Sequence, residues 1–407
     1  MNNPDVIIIG GGAAGAFAAI TAARSGKKAL IIEKNKHLMQ KLLITGKGRC
    51  NLTNDCDTET LLKNIKTNPL FLRSAFSRFG SRDTIEFFES VGIELVTERG
   101  NRVFPVSDKA ESVVNALISQ LNILGVEIIN ERVRELITEG GVLIGVKCER
   151  NIYLAPKVVL CTGGLSYPKT GSTGDGYDLS ARLGHTIVEP KAALVPMNTA
   201  EDYSVLAGLS LKNVKISLFG QDMNNLLYTE QGELLFTHFG VSGPLVLTAS
   251  FFINQLSIVN CQLSIDFKPA LDEKTLDARL LRDFAENKNK QIQNALDALL
   301  PKKIIPFVIS QANIPQGKRI NTVTAAERGR LLTALKGFTL TVTGLRPIDE
   351  AIITDGGVDV REINPKTMES KLVKGLYFAG EVIDAAGFTG GFNLQIAFST
   401  AYAAATS

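Results

Sequence analysis

Val6-Ile7-Ile8-Ile9-Gly10-Gly11-Gly12-Ala13-Ala14-Gly15 is the stretch that decides the fold. Four β-branched residues in succession suit a central parallel strand covered on both faces. Gly10, Gly12 and Gly15 follow it with the spacing GxGxxG. Ala18, Ile20, Ala22 and Ala23 then predict a small-residue helix ending near Ser25-Gly26, and Ala29-Leu30-Ile31-Ile32 predicts a second strand running into Glu33. Each position has a task. Gly10 makes the tight turn, Gly12 lets backbone approach a pyrophosphate, and Gly15 lets the helix pack close to the strand. The helix start at Ala13 and Ala14 stabilises phosphate charge, and Glu33 is placed to accept hydrogen bonds from a ribose. Together these features define a dinucleotide site.

The segment after Glu33 indicates which dinucleotide. Lys34, Lys41 and Gly46-Lys47-Gly48-Arg49-Cys50-Asn51-Leu52-Thr53-Asn54 supply glycines, cations and amides in a compact loop. Such a loop suits a larger anionic ligand whose second half is held beyond the first phosphate site, which favours FAD over NAD. No second GxGxxG follows a strand elsewhere, so a nicotinamide donor, NAD(P)H, would bind only transiently. His37 reads as a solvated loop residue, and the FAD is expected to be non-covalent.

Around this site the chain is an ordinary globular protein of 407 residues, 45% hydrophobic and 21% charged. Its formal net charge of +3 gives no general drive toward nucleic acid or an acidic membrane surface, so neither is expected as a partner. Five scattered cysteines without a CxxC pair read as reduced thiols of a cytoplasmic protein, and three histidines offer few ligands for a metal site, so none is expected.

Four segments carry a family resemblance: the opening glycine unit with Glu33, residues 46–54, Gly232 to Pro244, and Gly375-Leu376-Tyr377-Phe378-Ala379-Gly380-Glu381 continuing to Gln395. In them the chain resembles bacterial FAD-dependent oxidoreductases of the two-dinucleotide-binding-domain type. That family includes a 3-dehydro-bile-acid reductase and aminoacetone-oxidase-like proteins. The resemblance implies that Val133 passes the adenine and that Thr162-Gly163-Gly164 returns the chain to the FAD. Gly380-Glu381 suits a ribitol hydroxyl, and Gly387 to Gln395, with Gly391, Asn393 and Leu394, opens a final helix, Ile396 to Ala405, toward the flavin. Gly48, Arg49, Cys50 and Asn51 are further candidates for cofactor contact.

The fold expected is α/β, a discontinuous Rossmann-like FAD-binding domain (1–190 and 346–407) with an inserted antiparallel barrel-like domain (191–270 and 320–345) and a helical subdomain (271–319). Val214, Ile216 and Leu218, Leu263, Ile265 and Phe267, and Phe338, Leu340 and Val342 alternate with polar residues, as half-buried strands do. Leu276, Leu280, Leu281 and Phe284, then Ile292, Leu296, Leu299 and Leu300, follow the helical period. The flavin performs the redox step, and His238, Tyr167 and Lys169 are the candidates for proton transfer or charge beside it. The function read from this is NAD(P)H-linked reduction of a small apolar or conjugated carbonyl substrate. The alternatives are an O2-using amine oxidase, a non-catalytic flavin-binding protein and an FAD-dependent nucleic-acid modifier, the last weighed against by the near-neutral charge and the absence of a basic run.

Overall fold

In the computed structural model, which describes residues 3–221, 223–256 and 260–407, the quoted stretch lies at the centre of a five-stranded sheet. The strand order is Leu376–Phe378, Val158–Leu160, Val6–Ile9, Ala29–Glu33 and Glu127–Asn130, every neighbour parallel. All residues of Val6–Ile9 and Ala29–Glu33 are buried, which is why unbroken apolar runs encode them. Between Gly125 and Val133 the chain passes from one sheet to another. Glu127–Asn130 closes the parallel sheet, while Val133–Glu139 starts a separate antiparallel sheet with Val142–Cys148 and Ile152–Leu154. Glu131 causes the break, since its carboxylate accepts from the Asn151 side chain at 2.6 Å and from Tyr153 at 3.2 Å.

The first and last helices hold the two ends of the chain together. Phe17 of Ala13–Arg24 meets Phe398 of Phe392–Ala405 at 5.1 Å between ring centroids, and Phe79 and Phe87 lie 5.1 and 4.8 Å from Phe17. Within this apolar layer Gln395 is fully buried and fully engaged. Its Oε1 accepts from Thr53 at 2.6 Å and Thr84 at 2.8 Å, and its Nε2 donates to the Phe79 carbonyl and to Ser399. The last helix starts at Phe392, four residues before the sequence expectation of Ile396. Gly391 turns the chain at φ +99°, and Asn393 locks the entry by donating to the Gly387 carbonyl and accepting from the Gly387 N–H.

The chain forms two compact units, Met1–Ala193 with Ile348–Ser407, and Leu194–Pro347. The second contains a closed antiparallel barrel of Met197–Thr199, Ser210–Phe219, Leu226–Phe236, Gly240–Ser242, Cys261–Asp266 and Phe338–Leu345. The alternating residues Val214, Ile216, Leu218, Leu263 and Ile265 all point into its core, joined there by Leu276, Leu280, Leu331 and Leu335 from helices Glu273–Glu286 and Ala325–Lys336. Two helical expectations need correction. Leu281 is exposed, because only the narrower stripe of Leu276, Leu280 and Phe284 faces the core. Ile292 to Leu300 is a 3-10 turn and irregular chain, since Ile292 N donates to the Lys318 carbonyl and Gln291 bridges to Arg319, pinning the turn that a helix would need.

Phe398→Ala is expected to remove about 3–5 kcal/mol from the first unit by opening a cavity among Phe17, Phe88 and Phe398. Urea titration followed by circular dichroism and by flavin release checks this. A midpoint unchanged from wild type would contradict it.

Candidate functional site

Space around the three motif glycines is used in two opposite ways. A Cβ on Gly15 would lie 1.8 Å from the Gly10 carbonyl oxygen, and one on Gly10 would lie 2.6 Å from the Cys161 carbonyl, so both are fixed by backbone touching backbone. A Cβ on Gly12 would meet nothing within 4 Å, although Gly12 caps the N-terminus of the first helix. Its surroundings are therefore open on the side from which a ligand phosphate would approach. Beside it Glu33, buried at the end of its strand, accepts from Gly11 N at 2.7 Å and Asn35 N at 2.8 Å. Two donors on a carboxylate leave lone pairs for a vicinal diol.

Elsewhere in the same unit Glu381 collects a second network. Lys41 donates to it at 2.6 Å and to Ser166 at 2.5 Å, Ser166 donates to its other oxygen at 2.8 Å, and Thr354 N donates at 2.8 Å. Burial pushes this carboxyl upward, but the Lys41 ammonium and the hydrogen bonds outweigh it and hold the group below the usual range. Gly380 itself abuts the first helix, since a Cβ there would lie 2.9 Å from that of Ala14. Three buried side-chain oxygens in this unit, Ser81 Oγ, Thr162 Oγ1 and Asn51 Oδ1, have no hydrogen-bond partner among the described residues, and the last two lie in segments expected to contact the cofactor. The open Gly12 cap, the half-satisfied Glu33 and these two orphaned oxygens fit FAD. Gly163 at φ +72° and Gly164, where a Cβ would strike Thr354 Oγ1 at 2.3 Å, keep the returning chain close to the Glu381 network.

Other expected contacts have protein partners here. Lys34 pairs with Asp175 at 2.9 Å, and Arg132 pairs with the same carboxylate at 2.7 Å. Arg49 is held between Glu98 and Asp108 and lies over Phe104 at 4.2 Å, so its guanidinium is anchored by two carboxylates. Cys50, buried at φ +62°, has its thiol pushed up to about 12 by burial and is a packed neutral group. Gly48 lies at φ +85°, Val133 is buried at the start of its strand, and Asn393 and Leu394 sit in the first turn of the last helix. Tyr167 adopts φ +51° next to Ser166, half-buried, and burial raises its phenol. Its hydroxyl makes no hydrogen bond among the described residues, and Lys169 beyond it is exposed. His238 belongs to the second unit, exposed between two barrel strands with its ring against Phe239.

Thr354 and Ser166 were missed in the sequence. A signal existed for Thr354, because Thr354-Asp355-Gly356-Gly357, within the strand Ile353–Val358, carries a threonine before a Gly-Gly pair as residues 162–164 do. Also unforeseen is a carboxyl pair, Asp355 and Asp384. Thr67 donates to Asp355 at 2.5 Å and Asn68 donates to Asp384 at 2.9 Å. Burial and the neighbouring Asp355 push Asp384 up to about 6.

With this geometry described, comparison with known proteins gives the class. The family description "HI0933-like protein Rossmann domain" matches residues 4–407, and the chain belongs to that family. It is 32% identical over 405 residues to the 3-dehydro-bile acid delta(4,6)-reductase of Clostridium scindens, covering 98% of this chain and 97% of the relative. It is also 32% identical over 408 residues to the ribosomal RNA dihydrouridine synthase of Haemophilus influenzae, again 98% and 97%. Among solved structures, the 3-ketosteroid delta1-dehydrogenase of Sterolibacterium denitrificans shares the fold at TM-score 0.55 and 13% identity, over 100% of this chain and 99% of that one. The protein is an FAD-dependent oxidoreductase.

Gly12→Val and Gly15→Val are expected to fail differently. The first should fold with wild-type circular dichroism yet purify without flavin, whereas the second should not fold, its Cβ lying inside the Gly10 carbonyl. Acid precipitation of the wild type should release all flavin to the supernatant. A second expectation concerns pH. The folded-state carboxyl of Asp384 titrates near 6 and an unfolded aspartate near 3.9, so its ionisation costs stability as pH rises through this window, and the full cost persists above it. Asp384→Asn should therefore stabilise the protein by about 1–3 kcal/mol at pH 8 and hardly at all at pH 4, read by thermal unfolding.

Proposed function

We propose that this chain saturates a carbon–carbon double bond conjugated to a carbonyl, with NAD(P)H as a transiently bound electron donor. The observation that carries the reading is the pair of full-length relatives. One is named for reducing the Δ4,6 bonds of a 3-dehydro bile acid and the other for making dihydrouridine, and both names describe hydrogen added across C=C next to a carbonyl. When bound and reduced by NAD(P)H, FAD would supply the hydride for the β-carbon. Gly12, the first-helix N-terminus, Glu33, Glu381 and Thr162 would hold it, with Asn51 and the N-terminal turn of the last helix, Asn393 and Leu394, as further contacts.

The chain must then deliver one proton to the α-carbon and offset charge on the carbonyl oxygen. Tyr167 supports the first role: its phenol stays protonated across neutral pH, its hydroxyl has no protein partner among the described residues, and it lies in the same compact unit as the glycine cradle. Lys169 is the exposed cation two residues away. His238 is the second candidate donor, in the other unit. Arg49, held by Glu98 and Asp108, is assigned to ordering the 46–54 loop under the cofactor.

Anaerobic stopped-flow separates these roles. NADPH is expected to bleach the flavin, and a 3-keto-Δ4 steroid or uridine to restore its colour. Tyr167→Phe should slow the second half-reaction by about 10²–10⁴-fold without loss of FAD, and His238→Gln should leave it within about threefold. Bleaching by aminoacetone but not by NADPH or NADH would replace this reading with the amine-oxidase one.

A further inference from the structure

The net charge of +3, from which no nucleic-acid partner is expected, averages over two unequal parts. Residues 287–336 carry nine Lys and Arg against two Asp and Glu, so the rest of the chain is on balance acidic. Several of the nine are neutralised. Lys318 pairs with Glu327 at 2.6 Å, Arg328 with Asp277 at 2.7 Å and Lys336 with Asp266 at 2.6 Å. Lys288, Lys290 and Arg319 are exposed and have no acidic partner among the described residues.

Backbone pairing brings these three together although some thirty residues separate them in sequence. Ile320 N donates to the Lys290 carbonyl at 3.0 Å, Asn321 N to that of Lys288 at 3.2 Å and Ile292 N to that of Lys318 at 2.9 Å, while Gln291 and Arg319 form an antiparallel bridge. Ile292 and Ile320, 0% and 4% exposed, anchor this ribbon in the second unit's core. Its cations therefore project from a fixed base. Beside them stand the exposed amides Asn289, Gln291, Gln316 and Asn321.

We infer that this ribbon is a docking surface for RNA. Lysines and a planar guanidinium neutralise backbone phosphates, and neighbouring amides can bond base edges and 2′-hydroxyls. A lipid surface fits less well, because the apolar residues of the ribbon, Ile292 and Ile320, are buried and leave nothing to enter a bilayer. An acidic protein would find no exposed aromatic anchor on it. The inference rests on the conjugated-reductase reading only for what the RNA would present, a uracil ring whose double bond adjoins a carbonyl.

The test is fluorescence anisotropy of a labelled RNA hairpin of about 20 nucleotides with the FAD-loaded full-length protein at about 0.1 M salt. Wild type is expected to bind, and the combined change Lys288→Glu, Lys290→Glu and Arg319→Glu to weaken binding about tenfold or more, lowering the log–log salt slope by about two to three. The control, Lys63→Glu, Lys212→Glu and Lys366→Glu, alters three exposed lysines outside the ribbon and should stay within about threefold of wild type. FAD content and NADPH bleaching should be the same in all three proteins. The inference is overturned if wild type does not bind the hairpin, if both triple variants weaken binding alike, or if phosphatidylglycerol vesicles capture the protein and the hairpin does not. Flavin reoxidation by the steroid or uridine is read separately, so a failed reductase reading and a failed docking surface give different results.

Discussion

A single backbone contact constrains the first unit: Gly15 lying on the carbonyl of Gly10, which itself lies on the carbonyl of Cys161. No side chain fits in either interval. The first helix is consequently pressed against the central strand, and the strand Val158–Leu160 leaves the sheet directly beneath the glycine turn. Gly380 approaching Ala14 extends the same close packing to the C-terminal segment. At Gly12, between these two close contacts, a Cβ would meet nothing within 4 Å. The aromatic layer of Phe17, Phe79, Phe87 and Phe398 joins the first helix to the last.

Charge is handled by pairing at the strand ends. Glu33 and Glu381 follow two parallel strands of one sheet and each is tied down by backbone N–H donors, but of the two only Glu381 also has a cation among the described residues. That difference gives the two carboxylates different uses. Glu33 retains free acceptor capacity, while Glu381 is a fixed node that binds Lys41, Ser166 and Thr354 together. Asp355 and Asp384 show the opposite case, two carboxyls buried together with hydroxyl and amide donors, and the cost appears as a raised pKa for Asp384. Such a cost persists in a fold only where the surrounding chain over-determines the geometry, as Thr67, Asn68 and the glycines Gly356 and Gly357 do here.

Two full-length relatives are named for a bile acid and for ribosomal RNA, substrates with little in common except the reacting group. A shared cradle for the cofactor with variable surfaces for substrate delivery would account for this, since fold and cofactor chemistry leave the choice of substrate to other residues. The surface inferred for RNA carries the asymmetric charge of residues 287–336.

The sequence by itself determined the parallel sheet, the glycine cradle, Glu33 and the barrel, because local periodicity and close backbone approach are written in consecutive residues: Val6–Ile9, Gly10 to Gly15, and the alternations at 214–218 and 263–267. It also marked Gly380-Glu381 and Tyr167, but not what they touch. Only the tertiary structure decided that Arg49 is held by Glu98 and Asp108, that Thr354 caps the Glu381 network, that the last helix begins at Phe392, and that Ile292 pairs with residue 318 where its hydrophobic spacing predicts a helix. Each of these depends on partners tens to hundreds of residues away. A side chain's spacing states which face it occupies, whereas its hydrogen-bond and charge partners are set by where distant segments arrive once the core has closed.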